Sequence, residues 1–148
     1  MAIHPEPRGV STVGTEANGL TQNLIIVGTE SDNPFAIDIG RFCNQRQDIA
    51  DLISLKAFAN SEFCPRYIVG GDHLTGHGLD GACVVIVSTS SRNHSRNSLA
   101  MRTLLVARAA RDNGADRIIL VEPDLFYSAQ DRGPRTEHGQ MDQPRTAS

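Results

Sequence analysis

The side chains best suited to chemistry lie in Phe126-Tyr127-Ser128-Ala129-Gln130-Asp131-Arg132. An aromatic pair, an amide, a carboxylate and a guanidinium fall within one short segment. Such a set can stack on a ring and hold a polyphosphate, because aromatic faces take flat rings and guanidinium forks take phosphate oxygens. The segment follows the apolar run Ile118-Ile119-Leu120-Val121. A β-type run emptying into a polar loop is where open α/β sheets place ligand chemistry. An ordinary solvated loop would show the same polarity, and Gly133 and Pro134 suit that reading equally.

Three other segments carry usable groups. In Phe58-Ala59-Asn60-Ser61-Glu62-Phe63, an aromatic, an amide and a carboxylate could sandwich a purine and read its amino edge. The same residues also read as a strand end with a capping Asn and a solvent-facing Glu. Asp72, His73 and His77 offer three metal-type ligands, but the surrounding glycines argue for a surface loop, and no Lys followed by Ser or Thr closes a phosphate loop. Ser88-Thr89-Ser90-Ser91, with Arg92, Asn93, Arg96 and Asn97, suits either an anion site at a helix start or simple N-capping. There is no Ser-His-Asp or Cys-His arrangement for nucleophilic catalysis.

These groups need a frame, and hydrophobic patterning supplies one. Leu24-Ile25-Ile26-Val27, ending at Gly28, reads as a strand buried on both faces. Asn33-Pro34 then starts a helix running to about Gln45, with Phe35, Ile39, Phe42 and Cys43 at helical spacing. Leu52 to Phe58 reads as a second strand and Phe63 to Val69 as a third, demoted toward an edge by Pro65. Ala82 to Val87 is the strongest strand signal. A long helix from about Ser95 to Asn113 buries Leu99, Thr103, Val106 and Ala110, with Leu104 and Ala107 beside them, and turns Arg102, Arg108 and Arg111 to solvent. Gly114 stands where a left-handed cap is wanted, and Arg117 to Val121 is the strand that follows. Strand, helix, strand at this spacing implies a parallel crossover and an α/β fold.

Composition narrows the partners. The 148 residues are 39% hydrophobic and 21% charged, which suits one globular core. A net charge of −3 gives no electrostatic case for nucleic acid or anionic membrane. Lys56 is the single lysine, so bidentate Arg donors dominate the cations. Cys43, Cys64 and Cys83 are odd in number and flank apolar segments, so buried reduced thiols and a cytoplasmic location are expected. Residues 1–22 show neither a secretory pattern nor strong hydrophobic periodicity and read as a loosely ordered extension.

Taken in order, five segments resemble the N-terminal half of the ribose-phosphate pyrophosphokinases (phosphoribosyl pyrophosphate synthetases). Phe58-Ala59-Asn60-Ser61-Glu62 resembles the family's F-S-[DN]-x-E motif, and Val85-Ile86-Val87-Ser88-Thr89 its strand ending in Q-S-T. The helix and strand from Leu99 to Val121 resemble those that follow in the family. Phe126 to Arg132 resembles the Y-A-R-Q-D-R loop, and Gln143-Pro144-Arg145-Thr146-Ala147-Ser148 the A-P-[IV]-[ST]-A-K segment.

The resemblance implies a phosphoribosyltransferase-like three-layer α/β fold with a mainly parallel sheet, incomplete at its C-terminal side, spanning residues 23–148. It implies transfer of a pyrophosphoryl group from Mg-ATP to ribose 5-phosphate, with Mg2+ as cofactor and a homo-oligomer whose ATP sites lie between subunits. Phe58, Asn60 and Glu62, with Ser61 between them, would meet the adenine in a neighbour's site. Ala129, Gln130 and Asp131 would lie by the ATP phosphates and ribose. The sequence departs from the family at Ala129, which replaces an Arg, at Glu122-Pro123-Asp124, which replaces an apolar-Pro-aromatic lead, and at Arg96-Asn97, which replaces Asn-Asp. It also contains no acidic Thr-Gly-Gly stretch. The expectation is therefore a chain inactive by itself, either as part of a synthetase or as a non-catalytic nucleotide-binding or regulatory relative.

Overall fold

The computed structural model describes residues 24–69 and 78–128. The elements run β1 (Leu24–Gly28), α1 (Pro34–Phe42), a single helical turn α2 (Ile49–Leu52), β2 (Ile53–Ala57), β3 (Phe63–Tyr67), β4 (Cys83–Val87), α3 (Arg96–Asp112) and β5 (Arg117–Val121). The α/β class therefore holds.

β1, β4 and β5 form one parallel sheet with β4 in the middle. Leu24 pairs with Cys83 and Gly28 with Val87, while Val87 pairs in turn with Val121, so the three strands end level. Val84 to Val87 are all buried, which requires cover on both faces of the central strand and explains its unbroken apolar run. The outer edge of β1 is closed by one side chain. The Gln45 amide accepts from the Ile26 N–H at 2.7 Å and donates to the Ile26 carbonyl at 3.0 Å, standing in for a neighbouring strand.

β2 and β3 do not join that sheet. They pair antiparallel with each other as a separate ribbon, Ile53 opposite Tyr67 and Ala57 opposite Phe63. The chain is thus mixed α/β, with a three-stranded parallel sheet and a small antiparallel one, and α2 occupies the start of the run read as strand. Backbone hydrogen bonds from Phe58 to Glu62 and from Ile68 to Leu52 fix the alternation of the ladder. Leu55 and Pro65 then fall at a non-hydrogen-bonded pair, where a missing N–H costs nothing.

Helix α3 starts at Ser95, whose side chain accepts from the Ser98 N–H, and packs on β3, β4 and β5. Its Thr103 hydroxyl lies 2.9 Å from the Leu99 carbonyl and 3.0 Å from Ser88 Oγ, tying the helix to the end of β4. Three sequence expectations are corrected here. Arg102 is 7% exposed, buried in the stripe with Leu99 and Val106, whereas Leu104 is 64% exposed. On α1, Phe35 and Phe42 face solvent, Phe42 at 88% exposure, because Ala36 and Gly40 form the buried side of that helix. Cys64 is exposed and Cys43 and Cys83 are half-buried, all three free, so only the reduced state agrees with expectation.

α3 ends as expected. Gly114 adopts φ +92°, and a Cβ there would come within 1.9 Å of Asp80 Oδ1. Gly114→Ala should lower stability by roughly 1–3 kcal/mol in denaturant unfolding, while Leu104→Ala on the exposed side of α3 should change it by less than about 0.5 kcal/mol.

Tyr67 offers a second check on the packing. Burial holds its phenol well above the ordinary range. The folded state therefore resists ionisation that the unfolded chain undergoes near pH 10, and stability should fall as pH rises past about 10. Tyr67→Phe should abolish that alkaline loss and leave neutral-pH stability within about 1 kcal/mol, since the hydroxyl's contact with the Val106 carbonyl is long at 3.5 Å.

Candidate functional site

Because the three parallel strands end level, the residues just beyond them meet. The Thr29 N–H bonds the Val87 carbonyl and the Ser88 N–H bonds the Val121 carbonyl, carrying the ladder one step further. Around this end stand Glu30 and Asn33 after β1, Ser90 and Ser91 after β4, Arg96 and Asn97 at the start of α3, and Glu122 and Asp124 after β5.

The polar groups there are largely engaged with one another. Asn33 caps α1 by accepting from the Ala36 N–H and donates to Thr89 Oγ1 at 2.6 Å. Glu30 Oε1 accepts from Ser91 Oγ at 2.9 Å, with His94 Nε2 3.7 Å away. Arg96 donates to Asp124 Oδ2 at 2.6 Å and to the Asp124 carbonyl, and its guanidinium lies 5.0 Å from the centre of the Phe126 ring. Ser90 Oγ meets the same Asp124 carboxylate at 2.5 Å. Tyr127 donates to Asn97 Oδ1 at 2.5 Å. Partial burial raises the Glu122 pKa, opposed by the Phe126 N–H that its carboxylate accepts and by Arg96, and reinforced by Asp124.

The first turn of α3 thus clasps residues 124–127, the root of the loop singled out in the sequence. Tyr127 is held there at φ +59°, a left-handed conformation uncommon for a non-glycine residue. Ala129, Gln130, Asp131, Arg132 and Arg135 lie outside the described residues, as do Asp72, His73 and His77.

A second focus is the turn joining β2 to β3. The Ser61 N–H bonds the Phe58 carbonyl, Asn60 Oδ1 accepts from the Glu62 N–H at 3.1 Å, and Ser61 sits at φ +69°. Asn60 therefore does the work of a turn cap, the plainer of its two readings. Phe58 and Glu62 remain accessible, and Lys56 Nζ lies 4.9 Å from the centre of the Phe58 ring.

This turn forms one wall of a groove of about 550 Å3. Phe58, Ser61, Glu62, Phe63 and Cys64 line it on the hairpin side, and Ser98, Met101, Arg102 and Leu105 line it on α3. The helical positions recur at three- and four-residue spacing, so they form one stripe facing the hairpin. Arg102 was missed by the sequence reading because its type outweighed its position. It lies three residues after Leu99 and four before Val106, inside the buried stripe, and that spacing was the available signal.

Comparison with known families, with curated proteins and with solved structures gives no match to this chain. The residues themselves must carry the functional reading. Phe58, Ser61 and Glu62 converge on one groove, and Asn60 supports the turn that presents them. The carboxyl end of the sheet organises the base of the second segment.

The clasp itself can be tested. Arg96 and Asp124 are both well exposed, so their pairing should contribute no more than about 1 kcal/mol to global stability. Asp124→Asn should leave the unfolding midpoint nearly unchanged while speeding amide hydrogen exchange at Phe126, Tyr127 and Ser128. Unaltered exchange at those three amides would show that the pair does not hold the segment.

Proposed function

We propose that this chain is the N-terminal part of a divergent ribose-phosphate diphosphokinase with a phosphoribosyltransferase-like fold, and that it makes no phosphoribosyl pyrophosphate by itself. In the intact enzyme, ATP would donate its pyrophosphoryl group to the C1 hydroxyl of ribose 5-phosphate in the cytoplasm. Subunits of a homo-oligomer would share the nucleotide site. Phe58, Asn60, Ser61 and Glu62 would serve the adenine, while Ala129, Gln130 and Asp131 would lie near the phosphates and ribose.

The observation that carries this reading is the groove at the β2–β3 turn. An aromatic ring and a carboxylate acceptor, both accessible, stand on a turn that is fixed by Asn60 and closed against α3. Such a wall can stack on a purine and accept from its amino group. The ordered set of five sequence segments supports the same reading. Pyrophosphoryl transfer relies on positioning and charge neutralisation, which side chains of these types can supply without a protein nucleophile.

Mg2+ would arrive with the triphosphate and neutralise its charge. The described residues gather no set of three metal-type ligands. Glu122 and Asp124, the carboxylates nearest the second segment, are bonded to the Phe126 amide and to Arg96 and Ser90.

A specific observation favours a second reading. Arg96, a cation suited to phosphate, is paired with Asp124, and Ala129 removes a guanidinium from the loop. A non-catalytic relative that binds nucleotide or regulates a synthetase by co-assembly would tolerate both.

The test is AMP formation from Mg-ATP by the full-length gene product. Turnover dependent on ribose 5-phosphate is expected, and Phe58→Ala should raise the KM for ATP about tenfold or more, since base–aromatic stacking is worth about 1–3 kcal/mol. ATP-dependent thermal stabilisation and co-purification with an active synthetase subunit, without turnover, would instead establish the second reading. The absence of turnover, stabilisation and co-purification alike would overturn both.

A further inference from the structure

Arg102 is the feature that the proposed function does not use. It is more than nine-tenths buried, yet among the described residues the acceptor bonded to its side chain is one neutral carbonyl, that of Thr29, reached by Nε at 3.0 Å. Glu30 acts on it through space, but no carboxylate of the described residues lies within ion-pair distance. The guanidinium carbon lies over Phe63, 3.8 Å from the ring centre. Nε carries one N–H, and among the described residues no hydrogen-bond partner meets the four N–H groups on the two Nη atoms. Arg102 and Phe63 both line the groove that also holds Phe58 and Glu62.

Desolvating a guanidinium is costly unless an anion or several acceptors compensate, and the described residues give Arg102 one neutral hydrogen bond. Here the Phe63 ring lies against the guanidinium fork. Such a fork is matched to the paired oxygens of a phosphate. The rest of the groove is two-sided in character. Phe58, Phe63, Met101 and Leu105 offer apolar and aromatic surface, whereas Ser61, Glu62 and Ser98 offer hydroxyl and carboxylate groups. A volume of about 550 Å3 is in the range of small-molecule sites.

We infer that this groove binds a purine nucleoside monophosphate unit within a single copy of the chain, with the phosphate on the Nη atoms of Arg102, the base against Phe58 and an amino group donated to Glu62. This inference shares the base-binding wall with the proposed function and adds an anion anchor from α3. It needs neither a second subunit nor the segment after residue 128.

The experiment compares AMP, adenosine and ribose 5-phosphate as ligands of the 148-residue chain by isothermal titration calorimetry. AMP should bind at least about tenfold more tightly than adenosine, the increment expected of a charge-assisted bidentate contact, and ribose 5-phosphate should bind more weakly than AMP for want of the base. Arg102→Met should remove the preference for AMP over adenosine while leaving adenosine binding within about twofold.

Since position 102 is buried, Met101→Glu provides a second variant at an exposed place on the same wall. It should reduce AMP affinity by tenfold or more through like-charge repulsion and spare adenosine. Equal binding of AMP and adenosine by the unaltered chain, failure of both to bind, or an AMP preference that survives either folded variant would overturn the inference. Turnover by the full-length enzyme together with an Arg102-independent preference would reject this anchor and leave the proposed function standing. An Arg102-dependent preference without turnover would do the reverse.

Discussion

The Arg102 guanidinium lies where α3, the β2–β3 hairpin and the end of β1 converge, and burying its charge constrains all three. Its Nε needs the Thr29 carbonyl, which fixes the depth of the helix against the first residue past β1. Its flat face needs Phe63, which fixes where the hairpin sits. A desolvated cation over an aromatic ring contributes about 2 kcal/mol, and a hydrogen bond from a charged group about 1.5–3 kcal/mol. Both oppose the cost of removing the charge from water. The two small sheets share no ladder; this side chain, helix α2 packed on both β1 and β2, and the apolar cluster that includes Tyr67 and Val106 bridge them.

From that junction the two candidate segments acquire their positions. The hairpin turn is pressed toward α3, so Phe58 and Glu62 border a groove instead of ending in open solvent. At the first turn of the same helix, Arg96 and Asn97 hold Asp124 and Tyr127. One helix therefore organises the hairpin through its middle and the loop root through its N-terminal turn. Of the three non-glycine residues with positive φ among the described ones, Ser61 and Tyr127 fall in those same two segments and Asn44 follows α1.

Much of the frame was legible in the sequence because burial on both faces leaves a direct mark. The run Val84 to Val87 could hardly be anything other than a central strand, and the Asn33-Pro34 and Gly114 signals bounded their helices as capping chemistry requires. What failed were cases where residue type and residue position disagree. Arg102 is charged but sits on the buried stripe, and Phe42 is aromatic but sits on the solvent side of a helix whose packing surface is made of Ala36 and Gly40. The split into two sheets was not legible either. A short strand carries no record of which neighbour it pairs with, and the antiparallel ribbon is specified by its tight turn at Asn60 and Ser61. The groove itself joins residues about forty positions apart in the chain, beyond the reach of any local pattern.

The central claim is that Arg102 couples the hairpin to the helix through the Phe63 ring. A double-mutant cycle in denaturant unfolding, using Arg102→Met, Phe63→Leu and the pair, measures this coupling directly. A favourable interaction of at least about 1 kcal/mol between the two side chains is expected. Additive effects, with a coupling indistinguishable from zero, would contradict it.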